Sequence, residues 1–513
     1  MPTSPTAERQ GQKVVWAKLI DHTRCIGCHA CTTACKSEND VPVGVTRTYV
    51  KYVDVGKFPQ VRRAFQVTRC NQCEDAPCVN ACPTAAMYTR PDGIVDFNKS
   101  ICIGCKACIA ACPYDAIFIN PEDEAAEKCN FCAHRIDVGL EPACVVVCPT
   151  EAILIGDLND SSSAVTRAVA REPVTVRRPE KGTRPKLFYS GAHQATLDPL
   201  AAKRPEGDLF MWSEQQGKGT QEVVSGHPEH ANTSAAAMLS YDVRHTAPWD
   251  WRVSLYTWTK GIASGSYLIA LLLVLAGIMS PDSPIWQWSA PVLSVTFLAA
   301  TGGLLLSDLR HPERFHLIFT RPQWNSWLVK GAFIITGYGL VLGLHIFTSF
   351  FELLNTQRLL MLLGLPLAVL SAVYTAYLFA QAKARDLWQS PLLPVQLIVQ
   401  ALLAGAAALA LTAAFLEPGL VNPLLKITSA SCLIHLLIMW GEVTLGHVTT
   451  HTELAIREMT RGRFKSYFWF SVAALALGLL APWMGLWVAP PALVGLVAYE
   501  HAYVQAGQSI PLA

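Results

Sequence analysis

The chain has 513 residues, 51% hydrophobic and 16% charged, which is too apolar for an ordinary soluble protein and too long for one domain. A formal net charge of +2 leaves no basic footprint, so nucleic acid is excluded as a partner. The two halves differ: residues 1–250 hold nearly all the cysteines and most of the charge, whereas 251–513 are dominated by Leu, Ala, Val and Gly.

From the start, Met1 to Gln12 has no apolar run and no twin-arginine pair, so no export signal is expected, and its Ser, Thr and Pro content suggests a loose tail. Sixteen of the 17 cysteines then fall in four groups of four. They are Cys25, Cys28, Cys31 and Cys35; Cys70, Cys73, Cys78 and Cys82; Cys102, Cys105, Cys108 and Cys112; and Cys129, Cys132, Cys144 and Cys148. The first and third groups have the C-x2-C-x2-C-x3-C spacing of bacterial ferredoxins. Three thiolates on a compact loop wrap one iron–sulfur cube, and the fourth, on a departing helix, serves the neighbouring cube. Cys82-Pro83, Cys112-Pro113 and Cys148-Pro149 each open one repeated unit that turns at proline and enters a short apolar strand; Lys36 breaks this rule after Cys35. Pro91-Asp92-Gly93 reads as a hairpin turn. Disulfides need an oxidising compartment, and zinc knuckles lack the third cysteine and the trailing Cys-Pro. Four [4Fe-4S] clusters are therefore expected in an α+β ferredoxin-like domain over residues 1–155. Cys432, far away in an apolar helix, reads as packing.

Residues 156–250 read as a connecting arm with little regular structure, with Ser161-Ser162-Ser163 and a basic stretch from Arg177 to Lys186. It is either a flexible linker or a strap across a partner subunit. Leu187-Phe188-Tyr189 and Leu209-Phe210-Met211-Trp212 are apolar enough to favour the strap.

Residues 251–513 read as an all-α transmembrane bundle of about eight helices, over roughly 254–279, 285–307, 326–350, 359–382, 391–416, 424–446, 466–487 and 489–506. Nine Lys and Arg lie in the loops on the side of the N-terminal domain: Arg310, Arg314, Arg321, Lys383, Arg385, Arg457, Arg461, Arg463 and Lys465. The opposite loops carry only Arg358 and Lys426, so the cluster domain and both termini are expected in the cytoplasm, with the chain in the inner membrane. Where electrons would leave the clusters, Tyr256, Lys260, Asp308, His311, Trp327 and Lys330 are candidates for a quinone head group, set against the plainer reading as interfacial anchors. Glu442 and His447 lie on the same side. Deeper groups, namely His435, Glu500 and His501, form either a proton path or a satisfied polar set. Haem needs histidine pairs at matched depth; His345 and His435 do not match, so no haem is expected.

These residues resemble a known arrangement. The cysteine groups over about residues 14–200 are similar to the four-cluster subunit of the dimethyl-sulfoxide-reductase superfamily, also found in polysulfide reductases and membrane formate dehydrogenases. The membrane half resembles the haem-free polysulfide-reductase-type (NrfD-like) anchor, through Tyr256-Thr-Trp-Thr-Lys-Gly261, Asp308-Leu-Arg-His-Pro-Glu-Arg-Phe315, Trp388-Gln-Ser-Pro-Leu-Leu-Pro394 and Ala506-Gly-Gln-Ser-Ile-Pro511. The resemblance implies electron relay between a separate molybdopterin catalytic subunit and a membrane quinone, ubiquinone or menaquinone. It also implies cross-pairing: Cys25, Cys28 and Cys31 with Cys148; Cys129, Cys132 and Cys144 with Cys35; Cys70, Cys73 and Cys78 with Cys112; Cys102, Cys105 and Cys108 with Cys82. Fusion of the two subunits and a cytoplasmic cluster domain depart from the usual pattern and favour a cytoplasmic substrate such as sulfite or formate. The alternatives are a membrane electron-transfer module for a non-molybdenum partner and an ion-translocating redox complex.

Overall fold

The computed structural model describes residues 8–9, 12–57, 59–203 and 236–512. They form two compact units, residues 1–248 with 511–513, and residues 249–510. The Leu209–Trp212 segment lies outside the described residues.

The first unit is α+β and ferredoxin-like. Its four-stranded sheet has Trp16–Asp21 near the centre, with Ile153–Asp157 antiparallel on one side. On the other side Leu187–Ser190 runs parallel to it, followed by antiparallel Val174–Thr175. Strand alternation puts Ala17 and Leu19 on one face, packed against Val165 of the helix Ala164–Arg171, and Lys18 and Ile20 on the other. Two hairpins carry the repeated Cys-Pro units: Met87–Thr89 with Val95–Phe97, and Ile117–Ile119 with Ala126–Lys128. The first turns over Arg90–Gly93, where Gly93 takes φ +78°, as the Pro-Asp-Gly sequence requires. A third sheet orders Ala237–Tyr241, Thr48–Lys57 and Gln60–Arg69.

Residues 156–200 are therefore not an arm with little regular structure. Apolar Leu187 and Tyr189, both fully buried, recruit this stretch into the central sheet.

In the second unit seven helical stretches are long and apolar enough to cross a membrane: Trp251–Leu275, Ile285–Asp308, Trp327–Phe350, Asn355–Ala380, Leu393–Leu416, Pro418–Thr444 and Ala481–Ser509. The sequence count of about eight differs at 466–487, where the helix Lys465–Gly478 has 14 residues. Pro482 has no N–H to donate to the Gly478 carbonyl and its ring clashes there, so the helix breaks and only a short turn, Ala481–Met484, follows. The first and fifth helices are central, with 78% and 72% of their most apolar segment buried inside the unit. Asp250 starts the first by accepting from Arg252 N at 2.9 Å.

Candidate metal centre and membrane polar sites

The four cysteine loops share a backbone rule that spacing alone does not reveal. The residue before the second cysteine of every group has positive φ: Gly27 at 69°, Gln72 at 49°, Gly104 at 67° and Phe131 at 59°. In the first and third groups the residue after that cysteine, His29 or Lys106, is also left-handed, at 60° and 61°. Alternating backbone hands turn successive N–H groups to one side, which makes a concavity for an anion. A second rule falls three residues after the last cysteine, where Ala85, Asp115 and Glu151 take φ of 55°, 48° and 52°. That turn aims backbone N–H groups back at sulfur: Met87 N lies 3.4 Å from Cys82 Sγ and Ala152 N 3.2 Å from Cys148 Sγ. Gln72 N and Ala126 N approach Cys70 and Cys102 Sγ at 3.4 Å each. Glycine at 27 and 104 carries a turn signal that the sequence reading did not use; Gln72 and Phe131 carry none.

The exception at Lys36 has a structural consequence. Without a proline after Cys35 the helix runs on over Ala30–Glu38, nine residues, whereas Pro77–Ala81 and Ala107–Ala111 stop at five, before Cys-Pro. Lys36 Nζ then holds the next loop through the Pro42 and Val45 carbonyls at 2.8 and 2.6 Å.

None of the seventeen cysteines forms a disulfide. Cys25, Cys28 and Cys31 line one hollow with Cys148, and Cys102, Cys105 and Cys108 line another with Cys82. Cys35 lies among Cys129, Cys132 and Cys144, and Asn39 Nδ2 spans the sulfurs of Cys35 and Cys132 at 3.7 and 3.8 Å. Cys112 neighbours Cys70, Cys73 and Cys78. Burial pushes Cys31 up to about 11 and Cys35, Cys73 and Cys112 up to about 12. Thiols so costly to ionise are favoured as thiolates once they bind a cation-rich cofactor. Among the described residues no three His, Cys, Asp or Glu side chains close around a single metal ion. An all-thiolate donor set standing open around a hollow fits a multi-iron cluster.

This is an electron-transfer iron–sulfur protein that carries its own membrane anchor. Residues 61–158 match the 4Fe-4S dicluster domain family and residues 22–44 a 4Fe-4S binding domain; residues 240–491 match the family described as polysulphide reductase, NrfD. The chain is 40% identical over 217 residues to a tetrathionate reductase subunit of Salmonella typhimurium, covering 42% of this chain and 86% of the relative. It is 46% identical over 176 residues to a polysulfide reductase component of Wolinella succinogenes (34% and 92%), and 43% identical over 178 residues to protein NrfC of Escherichia coli K12 (34% and 80%). The chain belongs to the family of dimethyl-sulfoxide- and polysulfide-reductase-type 4Fe-4S subunits, here fused to an NrfD membrane anchor, and is the electron-transfer iron–sulfur subunit of a reductase complex.

In the membrane unit the six candidate residues fall in three places. Tyr256 and Lys260 are buried, one turn apart on the first helix. Lys260 Nζ donates to Thr375 Oγ1 at 2.5 Å and the Ala372 carbonyl at 3.0 Å, and lies 4.7 Å from the Tyr374 ring centroid. The Tyr256 hydroxyl makes no well-formed hydrogen bond, and the Asp308 carboxylate, also buried, is within its electrostatic reach. Trp327 stacks on Tyr377 at 4.5 Å, with Lys330 Nζ 4.6 Å above the Trp327 ring. His311 pairs with Glu313 at 2.9 Å on the following loop. Glu500 binds Thr257 Oγ1 at 2.5 Å, while His501 packs on Tyr467, so these two neighbours face apart. Sequence reasoning missed Tyr499 and Gln396. Gln396 donates to the Tyr499 hydroxyl at 2.6 Å, which donates to Glu442 Oε2 at 2.7 Å; His435 stands edge-on to that tyrosine at 4.8 Å.

Proposed function

We propose that this chain relays electrons between a separate molybdopterin-containing catalytic subunit and a membrane quinone, through four [4Fe-4S] clusters held by the four cross-paired cysteine quartets. The observation that carries the reading is the unbroken series the quartets form. Cys31 neighbours Cys144, Cys129 neighbours Cys70, and Cys78 neighbours Cys108. Each quartet therefore adjoins the next, in the order Cys25/28/31/148, Cys35/129/132/144, Cys70/73/78/112, Cys82/102/105/108. Iron–sulfur groups bound there supply one-electron carriers. The chain's own part is to fix their spacing, bury them from water and surround them with fixed charge.

At the quinone end, Lys260 and Tyr256 supply hydrogen-bond donors for carbonyl oxygens and Asp308 a proton carrier, inside apolar walls. Trp327, Lys330 and His311 belong to neighbouring segments and shape access. The positive charge bias places the cluster domain and both termini in the cytoplasm. That orientation needs an even number of crossings, so the 14-residue helix Lys465–Gly478 would have to cross as well. A cytoplasmic reductase substrate follows.

The test uses the purified complex. Asp308→Asn and Lys260→Met should slow quinone-linked turnover strongly while dye-linked activity and iron content stay intact. Quinone turnover that survives both changes would move the site to the surroundings of Glu442 and Tyr499. A reporter fused after the last residue should be active in its cytoplasmic form only; a periplasmic signal would overturn the orientation.

A further inference from the structure

Lys18 and Arg69 are cations buried against cysteine sulfur rather than against a carboxylate. Lys18 is fully buried and Arg69 is 1% exposed. Strand alternation turns Lys18 away from the Leu19 face and toward the cysteines, where Ile20 packs with Cys31 and Cys144. Its Nζ lies 3.5 Å from Cys144 Sγ and 4.5 Å from the centroid of the Phe131 ring. Arg69 closes the strand Gln60–Arg69 and puts Nη1 3.1 Å from the same sulfur. Its Nε and Nη2 have no hydrogen-bond partner, and the negative groups it faces are Cys144, Cys31 and Cys129. Taking such charges out of water costs several kcal/mol each by order of magnitude unless an anion answers them. Here only cysteine sulfur is in place to do so.

The reach of the two differs. Lys18 acts on Cys144 and Cys132, both of the Cys35/129/132/144 quartet. Arg69 acts on Cys144 and Cys35 of that quartet and also on Cys25 and Cys31 of the next.

We infer that Lys18 and Arg69 set the reduction potentials at this end of the relay, Lys18 chiefly at the Cys35/129/132/144 quartet and Arg69 at that quartet and at Cys25/28/31/148. The inference rests on the reading that these quartets hold clusters. Accepting one electron adds one negative charge and breaks no bond. Standing beside the ligand sulfurs, the two cationic side chains stabilise the added charge, and they raise the potential because the surroundings are dry. They are charge-tuning residues, distinct from the ligands.

The test is a redox titration of the iron-loaded full chain, followed by electron paramagnetic resonance with iron counted in each sample. Lys18→Met keeps the length of the stem and removes the charge. It should make reduction of one cluster at least tenfold less favourable, a fall of about 59 mV, with a clearly smaller fall, or none, at the other three. Lys18→Arg should restore the wild-type value. Arg69→Gln should lower two midpoints. Full iron with unmoved midpoints in Lys18→Met, or an equal fall of all four, would overturn the inference. If Lys18→Met loses iron, Arg69→Gln decides: two lowered midpoints support the inference, and none or four reject it. Wild-type chain without iron would instead reject the cluster reading itself.

Discussion

Gly265 and Gly405 meet backbone to backbone where the first and fifth membrane helices cross. A methyl group on Gly265 would stand 1.8 Å from the Ala401 carbonyl oxygen, and one on Gly405 would stand 2.1 Å from the Gly265 carbonyl carbon. Both obstacles are main chain and cannot swing aside. Small residues at such a crossing let two helices approach closely where lipid offers no hydrophobic drive to associate. Gly405→Val should therefore cost at least about 1–3 kcal/mol, as overpacking does. It should lower the melting temperature of the detergent-solubilised chain. Gly302→Ala, where nothing lies within 4 Å, is the control and should not lower that temperature, since Ala is the better helix former. Equal behaviour of the two variants would mean that the crossing is looser than described.

His245 is clamped between two carboxylates in the first unit. Its Nδ1 lies 2.5 Å from Asp115 and its Nε2 3.1 Å from Asp242. Burial pulls its pKa down, but Asp242 and Asp115 outweigh that and raise it to about 9. A raised folded pKa stabilises fully below the unfolded value near 6.5, and the gain fades as pH rises from there through about 9. With part of the ring still open to water, the clamp contributes of order 2 kcal/mol. Thermal bleaching of the iron–sulfur absorbance should come at lower temperature at about pH 9.5 than at about pH 6. His245→Gln should flatten that dependence. A wild-type profile as flat as that of the variant would contradict the clamp.

Glu127 answers two cations, Arg47 at 2.6 Å and Lys99 at 2.7 Å, with its side chain 1% exposed. Asn120 also donates to it at 2.9 Å. Glu127→Ala would leave Arg47 buried against no carboxylate, so it should cost about 3–5 kcal/mol. Glu127→Gln, which keeps an acceptor, should cost less. Denaturant titration monitored at the iron–sulfur absorbance reads the difference; equal losses would show that the charge does not matter there.

The proposed cross-pairing has a direct genetic consequence. Cys148→Ser should damage the cluster at Cys25, Cys28 and Cys31 and spare the one at Cys129, Cys132 and Cys144, although Cys148 is close in sequence to the latter. Paramagnetic spectra with the opposite loss would mean that each group serves its own cluster.

The cysteine groups, the Cys-Pro turns and the Pro-Asp-Gly hairpin were legible because each follows a local rule of spacing or backbone freedom. So were most membrane helices, whose apolar length is a local property. The strand Leu187–Ser190 was not, because four residues gain their place only by pairing with Trp16–Asp21, far away in sequence. The left-handed turns at Gln72 and Phe131 were hidden for a related reason. Neither residue type favours that conformation, and the surrounding loop imposes it. Nothing in the sequence marks Lys18; only the sheet reveals which face it occupies. In the membrane unit Tyr499 and Gln396 gave no signal, since the polar chain they complete runs between helices.

Metal analysis of the purified chain tests the central claim most directly. The account predicts about sixteen irons and an equal amount of acid-labile sulfide per chain, four of each for every quartet. Stoichiometric zinc, or four irons or fewer per chain, would contradict it.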